Sequence, residues 1–368
     1  MAKLIENLII NADDYGACDY IDQGILSGIR EGLVSCVSAF VNFDERKADE
    51  SGGKYIGSIA AIKALKKEFP YFPIGLHLTI NSGNAVSGGS ELTFRGKGAH
   101  VNKFYLKNID QFNLKKFNTP WVQKLVEKEV KAQLAKFIKA FGEPPNHISC
   151  HFGIVFTFTK ILKRILSANG IKGIPVRNNN LIFQTPKRES GPNKLALKNA
   201  ITFFKETSQM RVIATGRGVK WALFSFDSAI GVIGTLLGTQ KRMKMLMDNQ
   251  CRFPDYTVDS LYRKEFIVSD KKGNIKKIEL VDWQNGLEYY IKKIPSFIPQ
   301  FFKKNSGGRD KPVAEIICHL GSGTVPTTAP NGLDITYFKG RATELKRLKA
   351  VKSFIIKKNI NLVDFDYL

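Results

Sequence analysis

The stretch Leu8-Ile9-Ile10-Asn11-Ala12-Asp13-Asp14-Tyr15-Gly16 sets the reading of the whole chain. Leu8 to Asn11 is a short apolar run of the kind that forms a strand buried on both faces. Ile21, Ile25 and Ile29 then recur every four residues, which marks a helix ending near Gly32. The same alternation continues downstream. Ser35 to Val41 reads as a strand, Ile56, Ile59, Ile62, Leu65 and Phe69 as a helix stopped before Pro70, and Ile74 to Thr79 as a third strand. Trp121 to Phe141 is a long amphipathic helix, with Pro120 in its first turn, Asn118 or Thr119 as its cap and Gly142 at its end. A strand around His147 to His151, a helix through Ile161, Leu162, Ile165 and Leu166, and a strand over Ile174 to Arg177 follow.

Alternation of this kind joins parallel strands through right-handed crossovers, so the expected class is α/β. A distorted (β/α) barrel and an open doubly wound sheet both fit the pattern. The regularity fails between about 178 and 220, where Arg188 to Lys194 reads as loop and Leu195 to Phe204 as a short helix. Lys264 to Lys277 contains the turn sequence Asp270-Lys271-Lys272-Gly273-Asn274 and predicts a hairpin. A strand at Val313 to Cys318, a helix through Leu345, Leu348, Val351 and Ile355, and a last strand at Leu362 to Phe365 complete the chain. We expect one domain over residues 1–368, with insertions at about 178–220 and 264–311.

An apolar fraction of 43% with 26 Phe supplies a large core and excludes a disordered chain. The net charge of +23 is spread along the chain and reads as a solvated Lys-rich surface, with an anionic partner as the sharper alternative. No nucleic-acid-binding signature accompanies it, which argues against a nucleic-acid partner. The five cysteines form no CxxC pair and read as reduced thiols, and Met1 to Ile10, soon interrupted by Asp13 and Asp14, does not read as a signal peptide; together these predict a cytoplasmic protein. Trp221 to Leu237 is interrupted by Asp227 and falls short of the roughly 20 apolar residues of a span, so a buried helix is expected there and no membrane span.

Of the five histidines (His77, His100, His147, His151, His319), His77, His151 and His319 fall at or just beyond predicted strands, as does the pair Asp13-Asp14. Ligands and catalytic groups of α/β sheets collect at the carboxyl ends of strands. Taken singly, Asp-Asp after a strand is usually a turn or helix start, and a His in an apolar strand is usually a core residue. Together they make a mixed Asp/His site. Two imidazoles and a carboxylate with open positions suit Zn²⁺, Mn²⁺ or Mg²⁺.

These motifs resemble the YdjC/ChbG-like carbohydrate deacetylases. The resemblance rests on INADDYGACDYIDQGILSGIREGLVSCVSAFVN (from Ile10), GLHLTINSG (Gly75 to Gly83), HISCHFG (His147 to Gly153), IPVRN (Ile174 to Asn178), RFPDYTVD (Arg252 to Asp259), EIICHLGSG (Glu315 to Gly323) and GRATELKRLK (Gly340 to Lys349). It implies a distorted (β/α) barrel and hydrolysis of an N-acetyl amide on a chitin-type or related amino sugar. It places Asp14, His77 and His151 as ligands of a divalent metal ion, Mg²⁺ by preference with Zn²⁺ or Mn²⁺ as alternatives. It makes Asp13 the general base and His319 the general acid, and sets Arg177 beside the catalytic carboxylate, where it would help hold developing charge. The implied partner is an N-acetylated oligosaccharide; a homodimer stays open. The sequence departs from the family pattern at Ser149 and Gly153, where it usually has Asp and His, and at Leu320, where it usually has Pro. Tyr15 and Trp121 are candidate sugar-stacking surfaces, although aromatic residues are more often core. Two rival readings stand beside this one: an inactive relative that binds a glycan or polyanion, and a metal hydrolase of a different amide or ester.

Overall fold

The computed structural model describes residues 6–44, 56–80, 82–88, 93–95, 102–104, 119–151, 158–177, 246, 249–254, 256–258, 265–269, 275–280, 313–323 and 335–368. In chain order the elements are β1 (Asn7–Tyr15), α1 (Asp19–Arg30), β2 (Cys36–Ala39), α2 (Ser58–Glu68), β3 (Ile74–Leu78), β4 (Thr93–Arg95), β5 (Asn102–Phe104), α3 (Pro120–Phe141), β6 (Ile148–Cys150), α4 (Thr159–Ala168), β7 (Tyr256–Val258), β8 (Glu265–Ser269), β9 (Ile275–Leu280), β10 (Val313–Cys318), α5 (Ile335–Lys357) and β11 (Asn361–Leu362).

The main sheet runs β6-β3-β2-β1-β10-β7, with β11 beside the start of β1, and every pairing in it is parallel. Single parallel bridges extend it beyond β6, from Ile148 to Val176 and from Pro175 to Arg252. Arg252 lies only just ahead of β7, on the opposite edge. The stretch 252–258 therefore reaches both margins, and the sheet curls into a distorted α/β barrel.

Alternation along the strands sorts the side chains. Leu8, Ile10 and Ala12 of β1, Val37 and Ala39 of β2, Leu76 and Leu78 of β3, Ile148 and Cys150 of β6, and Ala314, Ile316 and Cys318 of β10 face outward into one apolar cluster with the helices. The intervening residues face the barrel axis. Its floor is a small apolar plug of Ile9, Cys36, Val313 and Phe365. Above the plug the inward positions turn polar: Asn11 and Asp13, Ser38, His77, His147 and Ser149, and Glu315 are all buried.

The helices are set by local chemistry. Thr119 Oγ1 accepts a hydrogen bond from Val122 N at 3.2 Å to cap α3, and Gly142 ends it in the left-handed region at φ 74°. The strand expected at Ile174 to Arg177 survives only as bridges, because Pro175 has no N–H to give to a ladder. The last strand is also shorter than expected. It stops after Leu362, where Asp364 turns its side chain onto Asp366 N (2.8 Å) and starts a 3-10 turn. β8 and β9 form the antiparallel hairpin that the Asp270–Asn274 turn predicts. The expected insertion at 178–220, its helix at Leu195 to Phe204 and the helix at Trp221 to Leu237 lie outside the described residues, as does most of 264–311. Among the described residues no helix is long and apolar enough to cross a membrane. All five cysteines are buried free thiols.

Candidate active site

The pleat alone would place Asp13 and Asp14 on opposite faces of β1. The backbone prevents this. The β1–β2 register runs Asp13 against Ser38 and then Tyr15 against Ala39, so Asp14 is the extra residue of a bulge. It sits at φ 70°, a left-handed conformation uncommon outside glycine and of the kind that collects at functional sites. The bulge turns both carboxylates toward His77: its Nε2 lies 3.3 Å from Asp14 Oδ1 and 3.8 Å from Asp13 Oδ2. His151, two residues beyond Ser149 on the same inward face, places Nδ1 3.2 Å from Asp14 Oδ1.

Asp14, His77 and His151 are all buried, and one ligand atom from each lies within 4.8 Å of the others. An ion with ligand bonds of about 2.1 Å at angles near 90–110° spaces neighbouring donors by roughly 3.0–3.4 Å, close to the two carboxylate–imidazole distances here. His77 Nε2 is buried and turned toward Asp14 Oδ1, while its Nδ1 is 2.6 Å from Ser149 Oγ. A ring fixed at one nitrogen with the other turned to a carboxylate is how a metal-binding His is usually held. Thus Ser149, a departure from the family pattern, orients His77. Phe40 stands edge-on to both imidazoles, with ring centroids 4.9 Å from His77 and 5.4 Å from His151. The donor set fits a divalent ion.

Asp13 faces a separate network. Arg177 grips it with two hydrogen bonds, Nη1 to Oδ2 at 2.6 Å and Nη2 to Oδ1 at 2.8 Å, and gives Nε to Glu315 Oε1 at 2.7 Å. Asn11 Nδ2 adds donors to Asp13 Oδ1 (3.3 Å), Ser38 Oγ (2.8 Å) and Glu315 Oε1 (3.4 Å). Burial by itself would raise the Asp13 carboxyl; the Arg177 charge, with smaller help from His77 and His319, outweighs it and lowers the pKa to about 2. For Asp14 burial acts the same way and is again outweighed, here by Arg341 first and then His151, so that carboxyl also lies well below its ordinary value. Arg177 is itself buried and committed to these two carboxylates, so it works through Asp13 rather than facing the opening.

His319 follows β10 and brings Nε2 to 4.0 Å from Asp13 Oδ2; with 18% of its side chain exposed it is the most open of the six candidate residues. Burial, reinforced by Arg341 and His77 against the pull of the two aspartates, moves its pKa down to about 4. Its loop is seated on α1. Ser322 N donates to Tyr20 O at 2.9 Å, and a Cβ on Gly24 would meet the backbone of Gly321 at 2.3 Å. Beside Asp14 and His151 lies a small recess whose apolar walls are Ala17, Ile21, Phe40 and Phe43, with Ser82 at its side.

The structure brings Asp13, Asp14, His77, His151, Arg177 and His319 together. It separates His147, whose ring stacks on Phe365 at 3.9 Å and whose Nε2 lies 2.9 Å from Ser38 Oγ, as a core residue. Tyr15 is also core, its hydroxyl donating to Ala61 O (3.1 Å), whereas Trp121 is 57% exposed at the start of α3. His100 lies outside the described residues. Arg341 and Glu315 are contacts that the residue pattern left without a role. Arg341 is fully buried on α5 and pairs with Asp14 Oδ2.

Fold and site define an α/β barrel protein with an Asp-His-His cluster at the carboxyl ends of its parallel strands. The chain belongs to the YdjC-like protein family, whose model matches residues 7–353. It is 29% identical over 177 residues to a chitooligosaccharide deacetylase of Proteus mirabilis, covering 48% of this chain and 60% of that one. Chitooligosaccharide deacetylases of Yersinia enterocolitica (28% over 172 residues, 46% and 58%) and Serratia marcescens (25% over 186 residues, 49% and 64%) match similarly. The chain thus spans about three fifths of the length of these curated relatives. A crystal structure from Enterococcus faecalis V583, provisionally described as a cellobiose-phosphate cleavage protein, superposes with a TM-score of 0.55 over 99% of this chain and 98% of that one at 19% identity, and supports the fold.

Proposed function

We propose that the protein is a metal-dependent hydrolase that removes the N-acetyl group from an amino sugar, with a chitin-type or related oligosaccharide as substrate. The observation that carries this reading is the pair of adjacent carboxylates held apart in role by the bulge at Asp14. One faces two imidazoles and the other an arginine and a third imidazole. The names of the aligned relatives support the substrate class.

Asp14, His77 and His151 would hold the ion, with Mg²⁺ favoured and Zn²⁺ or Mn²⁺ as alternatives; its chemistry is to polarise an acyl oxygen and to make water acidic near neutral pH. Asp13 stays ionised throughout the working range because Arg177 neutralises it. It takes the proton of the attacking water as the water oxygen bonds to the acyl carbon. A carboxylate of such low pKa does not keep that proton. His319, 4.0 Å from Asp13 Oδ2 and neutral at rest, receives it as negative charge grows on the acyl oxygen. The imidazolium then protonates the sugar nitrogen as the C–N bond breaks, leaving acetate and a free amine. The recess walled by Ala17, Ile21, Phe40 and Phe43 is suited to the acetyl methyl group. A cytoplasmic site of action belongs to the same proposal and is supported by the five reduced cysteines.

Product analysis tests the reaction. Incubation with N-acetylated chitooligosaccharides and Mg²⁺ or Mn²⁺ should yield acetate and sugar amine in equal amounts. An enzyme that instead releases acetate only from O-acetyl esters would refute the amide reading.

A further inference from the structure

Asp14 presents its two carboxylate oxygens to different partners. Oδ1 faces the imidazoles, 3.3 Å from His77 Nε2 and 3.2 Å from His151 Nδ1. Oδ2 is taken by Nη2 of Arg341, a residue with 0% exposure that arrives from α5 at the other end of the chain. The backbone holds the same carboxylate from behind, because Asp14 is the bulged residue at φ 70° and the register on either side of it is fixed by β2.

Carboxylates bind hard cations through one oxygen or two, and the choice decides how many positions remain for water and substrate. A hydrolytic site needs open positions. We propose that Arg341 is a positioning residue that keeps Asp14 a one-oxygen metal ligand, by occupying Oδ2 and so leaving the remaining positions of the ion to water and the acyl oxygen. The inference rests on Asp14, His77 and His151 being the metal ligands. Charge argues against a simpler role for Arg341 as an aid to metal affinity. A guanidinium one carboxylate away from a divalent ion repels it, and the site would bind metal more tightly without it. What Arg341 adds is geometry: a planar donor that fits one edge of a carboxylate and fixes it.

The full chain and Mn²⁺ alone provide the test, through Mn²⁺ affinity by the EPR signal of the free ion and water-proton relaxation per bound Mn²⁺. A six-coordinate ion with three single-atom protein ligands keeps three positions for water, and a two-oxygen Asp14 would leave two. Arg341→Met should therefore bind Mn²⁺ no more weakly than the wild type, while its relaxation enhancement falls by about one third. Its kcat at saturating metal should drop roughly 10-fold or more with little change in KM for the sugar. Arg341→Lys, which still covers Oδ2 with a cation, should restore the wild-type enhancement. If Arg341→Met does not fold, Arg341→Gln, too short to reach Oδ2, is expected to show the same loss of enhancement. Unchanged relaxation in the folded variant, or Mn²⁺ affinity weakened more than about 10-fold, overturns the inference. Absence of Mn²⁺ binding by the wild type would instead overturn the metal reading on which it rests.

Discussion

Replacing Arg177 with methionine removes a cation that two buried carboxylates share. The guanidinium makes contacts of 2.6 and 2.8 Å to Asp13 and 2.7 Å to Glu315, and all three side chains are buried. Removing one partner of a buried ion pair costs about 3–5 kcal/mol, because the charge left behind has lost its countercharge and is shielded from water. Asp13 accounts for part of this: its pKa, lowered from 3.8 to about 2, corresponds to about 2 kcal/mol of stability at neutral pH. Glu315 supplies the rest. The sign follows from linkage. A carboxyl with a depressed folded-state pKa stabilises above its unfolded value of 3.8 and loses that contribution as pH falls toward about 2. In Arg177→Met the same carboxyl is buried without its countercharge, so acid should relieve the variant while it weakens the wild type. Thermal unfolding in chelator should show the variant melting roughly 6–15 °C lower at pH 7, at about 2–3 °C per kcal/mol for a large domain, with the gap narrowing steadily as pH falls, first as the variant's unpaired carboxyl takes up its proton and then, below 3.8, as the wild type loses its contribution. A gap that stays constant from pH 7 to 3.5, or that amounts to less than about 1 kcal/mol at pH 7, would refute this account of the Arg177–Asp13–Glu315 network.

Other substitutions separate the roles within the site. Asp13→Asn should retain Mn²⁺ in a binding titration but lose about 10²–10⁴ in turnover, since it removes the proposed base and leaves the proposed ligand cluster. Ser149→Ala frees His77 Nδ1 from its 2.6 Å contact and should weaken metal affinity about 10–100-fold, measured by titration, while the protein stays folded. His319→Asn should slow release of a sugar amine far more than that of a good leaving group such as a nitroaniline; equal slowing of both would remove His319 from leaving-group protonation. Gly24→Ala would drive a methyl group into the Gly321 backbone, and should cost about 1–3 kcal/mol in denaturant unfolding and displace the His319 loop.

Most of the frame was legible because it rests on periodicity. The run Leu8 to Asn11, the four-residue spacing of Ile21, Ile25 and Ile29, and the capped helix between Thr119 and Gly142 each announce themselves locally. His77, His151 and His319 converge because each ends or follows a parallel strand, and the barrel brings those ends together. What stayed hidden depended on partners remote in sequence. The bulge at Asp14 exists only in the register of β1 on β2, so adjacent aspartates look divergent until that register is known. Glu315 stands in a recognisable motif, yet its task follows from Arg177, 138 positions earlier. Arg341 lies just ahead of Leu345, Leu348, Val351 and Ile355, which mark the helix in the sequence, and its contact with Asp14 crosses 327 positions. β7 was missed because Tyr256 to Val258 is too short to show alternation, and its pairing with β10 supplies the order that its length cannot. The short hairpin of β4 and β5 went unrecognised for the same reason.

The most direct test is acetate release from an N-acetylated chitooligosaccharide by chelator-treated protein as Mn²⁺ is added back. No release is expected without metal, then a rise that saturates at one ion per chain, and no restoration in Asp14→Asn at any metal concentration. Full activity in the presence of chelator, or an active Asp14→Asn, would contradict the proposed mechanism.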